Sequence, residues 1–284
     1  MNEPIDYERE YDNRARFPEF PDVLALWLRE AKRFRADARA ELDIAYGPSP
    51  RQRLDLYLPD GDHGEAPVAL LIHGGYWQRL DGRTYAHFAR GLVESGLRVA
   101  VPSYDLCPSV PVGTIVTQMQ RCALLLWQRF GRRLVAVGHS AGGHLAACLA
   151  GTDWRALDNG APADLVRVCV PISGLFDLPP LVGTTVNQAL RLDMEEAVRQ
   201  SPVLWRPLPD GLRLSAHVGG RESSEYVRQS RDLARAWQTA GAATALRVVE
   251  GASHFSILDE LLAPDSVMTQ DILENAAQAA ILPR

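Results

Sequence analysis

The 284-residue sequence predicts an α/β fold in which a mostly parallel central sheet is flanked by helices on both faces. Two observations carry that expectation. Short apolar, strand-like runs alternate with longer segments of helical periodicity, and several of the runs are apolar throughout, as strands buried on both sides must be. The composition, 46% hydrophobic and 23% charged, adds that such a core can be filled without excess.

The strands are read in chain order. Leu54, Leu56 and Leu58 alternate with Asp55 and Tyr57, a strand with two unlike faces. Residues 67–73 (PVALLIH) form a continuous apolar run, suited to a central position. Segments 97–102, 134–138, 166–172, 212–218 and 245–249 repeat that style. Helices are expected around 84–95, 114–130, 141–150, 224–240 and 265–281, with Gly131 placed to end the second of them. Residues 1–45 read as a charged N-terminal helical extension packed on the body. Residues 178–209, rich in Pro and Leu, read as a small cap-like insertion over the active site, since they exceed a simple connection. The whole chain, 1–284, reads as one domain.

Composition excludes several classes. The formal charge is −5 and the basic residues are dispersed, so no nucleic-acid surface is expected. No apolar run approaches the roughly 18–20 residues of a membrane span, and the acidic, polar start does not fit a signal peptide. Cys107, Cys122, Cys148 and Cys169 are scattered without a Cys-x-x-Cys pair, which favours a reduced, cytoplasmic protein. The histidines show no zinc-ligand spacing and no nucleotide-binding glycine pattern occurs, so neither metal nor cofactor is expected. The expected partner is a small-molecule substrate. A homodimer is allowed, but the sequence does not determine oligomeric state.

The chemistry centres on Gly138-His139-Ser140-Ala141-Gly142, set between an apolar strand and an Ala-rich helix. This Gly-x-Ser-x-Gly pattern makes a turn tight enough to hold the Ser140 hydroxyl above the sheet, at a helix N-terminus. Upstream, His73-Gly74-Gly75-Tyr76-Trp77 leaves the central strand. Glycines there can turn main-chain amides towards a developing oxyanion, so Gly75 and Ala141, with Gly74 or Tyr76, are the expected donors. His73 is expected to support that loop. An α/β-hydrolase orders its triad as serine, acid, histidine, which points to His254 as base. His139 and His144 are rivals too close to Ser140 in sequence, whereas His63, His87 and His217 have no supporting context. The acid is sought after strand 212–218, where Glu222 lies nearest the strand end and Glu225 is the alternative. Either glutamate could equally be a solvated loop charge.

The sequence resembles the kynurenine formamidase (arylformamidase) family of the α/β-hydrolase superfamily. The resemblance rests on HGGYW at 73–77, YDLCP at 104–108, GHSAGGHL at 138–145, SGLFDLPPL at 173–181 and VNQAL at 186–190. SPVLW at 201–205, ESSEYVRQS at 222–230, SHF at 253–255 and YDNRARFPEFP at 11–21 extend it over nearly the whole chain. It implies metal-free hydrolysis of N-formyl-L-kynurenine to L-kynurenine and formate, in tryptophan breakdown. It implies Ser140 as nucleophile and His254 as base, and its acid position, Asp in the animal enzymes, falls on Glu222. Tyr76, Trp77, Tyr104 and Trp205 are candidates to line the aryl side, with plain core packing the alternative for each. Two rival readings stand beside it: a carboxylesterase for short acyl or aryl esters, and a non-catalytic ligand-binding hydrolase homologue.

Overall fold

The computed structural model describes residues 4–61, 67–206 and 208–281, so His63 lies outside the described residues. Three helices open the chain: α1 (Tyr7–Tyr11), α2 (Asn13–Arg16) and α3 (Phe20–Asp37). Then follow β1 (Ala40–Ala45), β2 (Arg53–Tyr57), β3 (Val68–Ile72), α4 (Gly82–Tyr85), α5 (Arg90–Glu94) and β4 (Arg98–Pro102). The centre comprises α6 (Val112–Phe130), β5 (Leu134–His139), α7 (Ala141–Ala150), α8 (Trp154–Leu157) and β6 (Val166–Ile172). The short helices α9 (Asn187–Leu190) and α10 (Met194–Arg199) precede β7 (Arg213–Gly219), α11 (Ser224–Thr239), β8 (Ala243–Val249) and α12 (Val267–Ile281).

The eight strands form one sheet in the order β1-β2-β4-β3-β5-β6-β7-β8. Strand β2 runs antiparallel to both its neighbours, and every other pairing is parallel. Alternation along each strand divides the core into two layers. Leu70 and Ile72 join Met119 and Leu126 of α6, Leu145 of α7 and Trp237 of α11 on one face. Ala69 and Leu71 join Trp27 of α3, Leu92 of α5 and Ile272 of α12 on the other. A sheet covered on both faces needs apolar side chains at every central position, which is why β3, β5 and β6 are buried from end to end.

One element differs from the sequence reading. Residues 40–45 were expected within a helical extension, yet they form edge strand β1. The strand carries a bulge between Glu41 and Ile44, with Asp43 at φ 59° bridging Arg35 (2.9 Å) and Arg83 (2.6 Å). A bulged, charged strand suits an exposed sheet edge, and its polarity hides it from a search for apolar runs.

His217, without context in the sequence, belongs to a buried polar cluster that fastens α12 to the sheet. Its Nε2 lies 3.0 Å from Asp271 Oδ2, Ser215 Oγ donates to the same carboxylate, and Arg247 reaches its other oxygen. These partners hold the Asp271 carboxyl down at about 2, against the desolvation that would raise it. Replacement Asp271→Asn would strand two buried partners, Ser215 and His217. It is expected to lower unfolding free energy by about 3 kcal/mol in urea titrations; an unaltered midpoint would refute this role.

Candidate active site

The parallel strands end together, and the residues just beyond their carboxyl ends meet around one cavity of about 390 Å³. Ser140 and His254 both line it, with Gly75, Tyr76, Tyr85 and His139. The volume falls within the range of small-ligand pockets.

Ser140 terminates β5 and caps α7 with φ 56° and ψ −120°, a conformation held only because its surroundings dictate it. The turn is that tight because the neighbouring backbones almost touch. A Cβ on Gly138 would lie 2.0 Å from the Gly142 carbonyl oxygen, and one on Gly142 would lie 2.1 Å from that of Ile72. Ser140 is 2% exposed and His254 3%, so their remaining access is through the cavity. Among the described residues no Ser140–His254 hydrogen bond is formed. Such contacts are commonly loose before substrate binds.

His254 is oriented from its far side. Its Nδ1–H donates to Glu222 Oε2 at 2.6 Å, which leaves Nε2 as the basic nitrogen. Glu222 is fixed in turn, because its Oε1 accepts from Gly219 N–H (2.7 Å) and Ser173 Oγ–H (2.5 Å). Glu225 faces elsewhere. Arg228 grips it with two 2.7 Å bonds and Tyr11 donates to it at 2.7 Å, so it anchors the N-terminal segment.

The rival histidines have other partners. His139 Nε2–H donates to the His254 carbonyl (2.7 Å) while its Nδ1 accepts from the Tyr85 hydroxyl (2.8 Å). His144 Nε2–H donates to the Gln200 carbonyl (2.7 Å), tying α7 to the 178–209 insertion. His73 Nδ1–H donates to the Gly74 carbonyl (2.7 Å) and the ring stacks on Tyr104 at 4.1 Å, so it braces the loop.

In that loop Gly75 has φ +106°, and a Cβ there would sit 2.4 Å from the Arg79 carbonyl oxygen; only glycine fits. Tyr76 and Trp77 follow at φ 52° and 55°, a strained pair that turns the chain sharply. The Gly75 carbonyl is taken by the Gln78 and Arg79 amides. Gly74 precedes Gly75 just beyond the end of β3, facing the elbow. Its part is close approach: a Cβ would meet the Ser140 Cβ at 3.0 Å.

The expected aromatic lining needs correction. Trp77 is fully buried with its ring edge-on to His144 at 5.0 Å, and does not line the cavity. Tyr104 is held under His73, and Trp205 packs over Gly151 with its Nε1–H on the Arg199 carbonyl. Tyr76 lines the cavity, but its hydroxyl is engaged by Tyr226 (2.7 Å) and the Tyr11 carbonyl (2.7 Å). The aromatic wall is instead Phe20, Trp27, Tyr85 and Phe255, with Phe20 stacked on Phe255 at 4.2 Å.

The roof also differs. Among the described residues the 178–209 insertion reaches the cavity through Thr185 and Val186 alone, whereas the N-terminal segment contributes Glu8, Tyr11, Asp12, Asn13 and Arg14. That segment is pinned by Glu8 to Thr185 N–H (2.7 Å), by Tyr11 to Glu225 and by Asn13 to Tyr226 (2.8 Å). Ser173, Tyr226, Tyr11 and Asn13 lie within segments marked by resemblance and Glu8 lies outside them, but no local motif reveals their roles.

The BD-FAE family model matches residues 54–177. A kynurenine formamidase of Salmo salar is 32% identical, covering 86% of this chain and 84% of its own. One from Danio rerio is 29% identical with the same coverage. A solved structure of a candidate thioesterase from Silicibacter sp. TM1040 superposes with a TM-score of 0.85 at 31% identity, covering 95% of this chain and all of that one.

Proposed function

Because the chain belongs to the kynurenine formamidase family of α/β-hydrolases, we propose that it hydrolyses the formyl amide of N-formyl-L-kynurenine, releasing L-kynurenine and formate in tryptophan catabolism. The observation that carries the chemical reading is the 2.6 Å bond from Glu222 to His254 on a cavity shared with Ser140. His254 Nε2 takes the Ser140 proton as Oγ attacks the formyl carbon. Negative charge then develops on the formyl oxygen, where the Gly75 and Ala141 amides are the assigned donors. Glu222 stabilises the imidazolium, which gives its proton to the departing aryl nitrogen. That delivery matters because an aryl amine leaves less readily than an alkoxide. Water, deprotonated by His254, attacks the formyl-serine, and formate leaves as Ser140 regains its proton.

The pocket suits this division. A formyl group needs little room beside Ser140, while Phe20, Trp27 and Phe255 offer an apolar wall for the aryl ring. All four cysteines are buried and unpaired, in keeping with a reducing compartment, and we assign the chain to the cytoplasm. No helix among the described residues is long and apolar enough to cross a membrane.

The test compares steady-state rates on N-formyl-L-kynurenine and p-nitrophenyl acetate. The formamide should be cleaved with at least a tenfold higher kcat/KM, a margin of about 1.4 kcal/mol. Negligible formamide cleavage beside brisk ester cleavage would make the protein a carboxylesterase instead.

A further inference from the structure

Four charged side chains stand at the cavity: Glu8, Asp12, Arg14 and Arg79. The two acids are already engaged by the protein. Glu8 accepts from Thr185 N–H (2.7 Å) and Oγ1–H (2.5 Å), and Asp12 caps α2 by accepting from the amides of Arg14 (3.1 Å) and Ala15 (3.0 Å). The two arginines are not so engaged: among the described residues neither guanidinium makes an ion pair. Arg14 rests over the Phe20 ring, its Cζ 6.0 Å from the centroid, so its charge sits beside the aromatic wall. Arg79 leaves the oxyanion loop four residues after Gly75. The two cations repel each other, and partial burial with that repulsion lowers the Arg14 pKa although Asp12 attracts the charge from nearby. Adjacent guanidiniums on one cavity form an arrangement that an anion relieves, and planar forks match a carboxylate well.

Resting on the formamidase reading, we propose that Arg14 and Arg79 together bind a carboxylate on the leaving-group side of the substrate, and so select aryl formamides that carry an amino-acid side chain. Phe20 then meets the aryl ring while Arg14 meets the acid beyond it. The residues position substrate and take no part in the bond changes. The two come from different segments of the chain, Arg14 from the roof and Arg79 from the loop that holds Gly75.

The experiment compares N-formyl-L-kynurenine with its decarboxylated analogue, which keeps the formanilide and the amine, using Arg14→Gln, Arg79→Gln and the double variant. Both side chains are exposed, so folding should survive, and thermal denaturation checks that. Each single change should raise KM for the carboxylate substrate by about tenfold, as for a lost bond to a charged group, with kcat nearly unchanged. The analogue's kcat/KM should stay within about twofold throughout, and Arg79→Lys should recover part of the loss. Raising salt from about 50 to about 500 mM should weaken only the carboxylate substrate, and only in the native protein. Equal losses on both substrates, or none on either, would overturn the arginine assignment while leaving the formamidase reading intact. A native protein that cleaves neither formamide would instead overturn the reading itself, and this assignment with it.

Discussion

Replacement of Ser140 by alanine is expected to reduce kcat for formamide cleavage by about a million-fold, and Glu222→Gln by about three to four orders of magnitude. The first change removes the attacking oxygen. The second preserves shape, but an amide offers no negative charge to the imidazolium and can present its NH₂ group to His254 Nδ1, favouring the wrong tautomer. Glu225→Gln separates local chemistry from scaffold. Glu225 touches Arg228 and Tyr11, not His254. Its loss should lower kcat less than about tenfold, yet destabilise the fold by about 1 to 2 kcal/mol, because Tyr11 and Arg228 lose a charged acceptor while Arg228 keeps Asp177 and Asp232. Single-turnover rates and urea midpoints on the three variants give the comparison. A Glu225→Gln protein slower than Glu222→Gln would show that the wrong carboxylate had been assigned.

The pair of glutamates marks where sequence reasoning reaches its limit. Both follow β7 within a few residues, and either could have turned towards a histidine after β8. The choice is made by Gly219 N–H and Ser173 Oγ, which fix Glu222, and by Arg228 and Tyr11, which hold Glu225. Gly219 and Arg228 are sequence neighbours, but Ser173 and Tyr11 lie 49 and 214 positions from the glutamates they hold and leave no local pattern. The elbow is the opposite case. Strand, glycines and helix are contiguous, so the strain at Ser140 could be foreseen from five residues. The central strands were legible for a similar reason, since burial on both faces demands an unbroken apolar run. The roof was not legible, because it depends on bonds between residues 214 positions apart, as from Tyr11 to Glu225. The cap was sought in the 178–209 insertion because length alone marks an insertion. Length does not tell which segment the cavity draws on. Nor does an aromatic next to a catalytic loop have to face substrate: Trp77 turns inward, and Phe20 and Trp27, over a hundred residues before Ser140, form the wall.

Acid should unfold this protein well before its carboxylates titrate. Four histidines are buried in neutral form: His73, His87, His139 and His144. Burial lowers His73, His87 and His144 to about 4 and His139 well below its ordinary value, with the neighbouring His254 adding to the last. The structure shows why protonation is resisted. His73 Nε2 and His87 Nδ1 have no partner among the described residues, so a proton there would create a charged donor facing apolar surroundings. An unfolded chain takes up these protons near pH 6.5, whereas in the native chain His73, His87 and His144 do so only near pH 4 and His139 well below its ordinary range. Their stabilising contribution is thus complete above pH 6.5 and is lost as pH falls towards 4. The slope is about 1.4 kcal/mol per histidine per pH unit. Over the interval from pH 6.5 to 5, the three sites held near 4 lose up to about 6 kcal/mol, comparable to the whole stability of many domains, and His139 acts in the same direction. Asp271, depressed to about 2, acts in a separate window: its contribution is intact above pH 3.8 and is lost only on falling through 2. Urea midpoints should therefore drop steeply between pH 6.5 and 5. Replacing His87 by leucine should remove about one proton from that slope. A midpoint that stays level down to pH 5 would mean that these rings are already protonated in the native protein, or are not sealed from water.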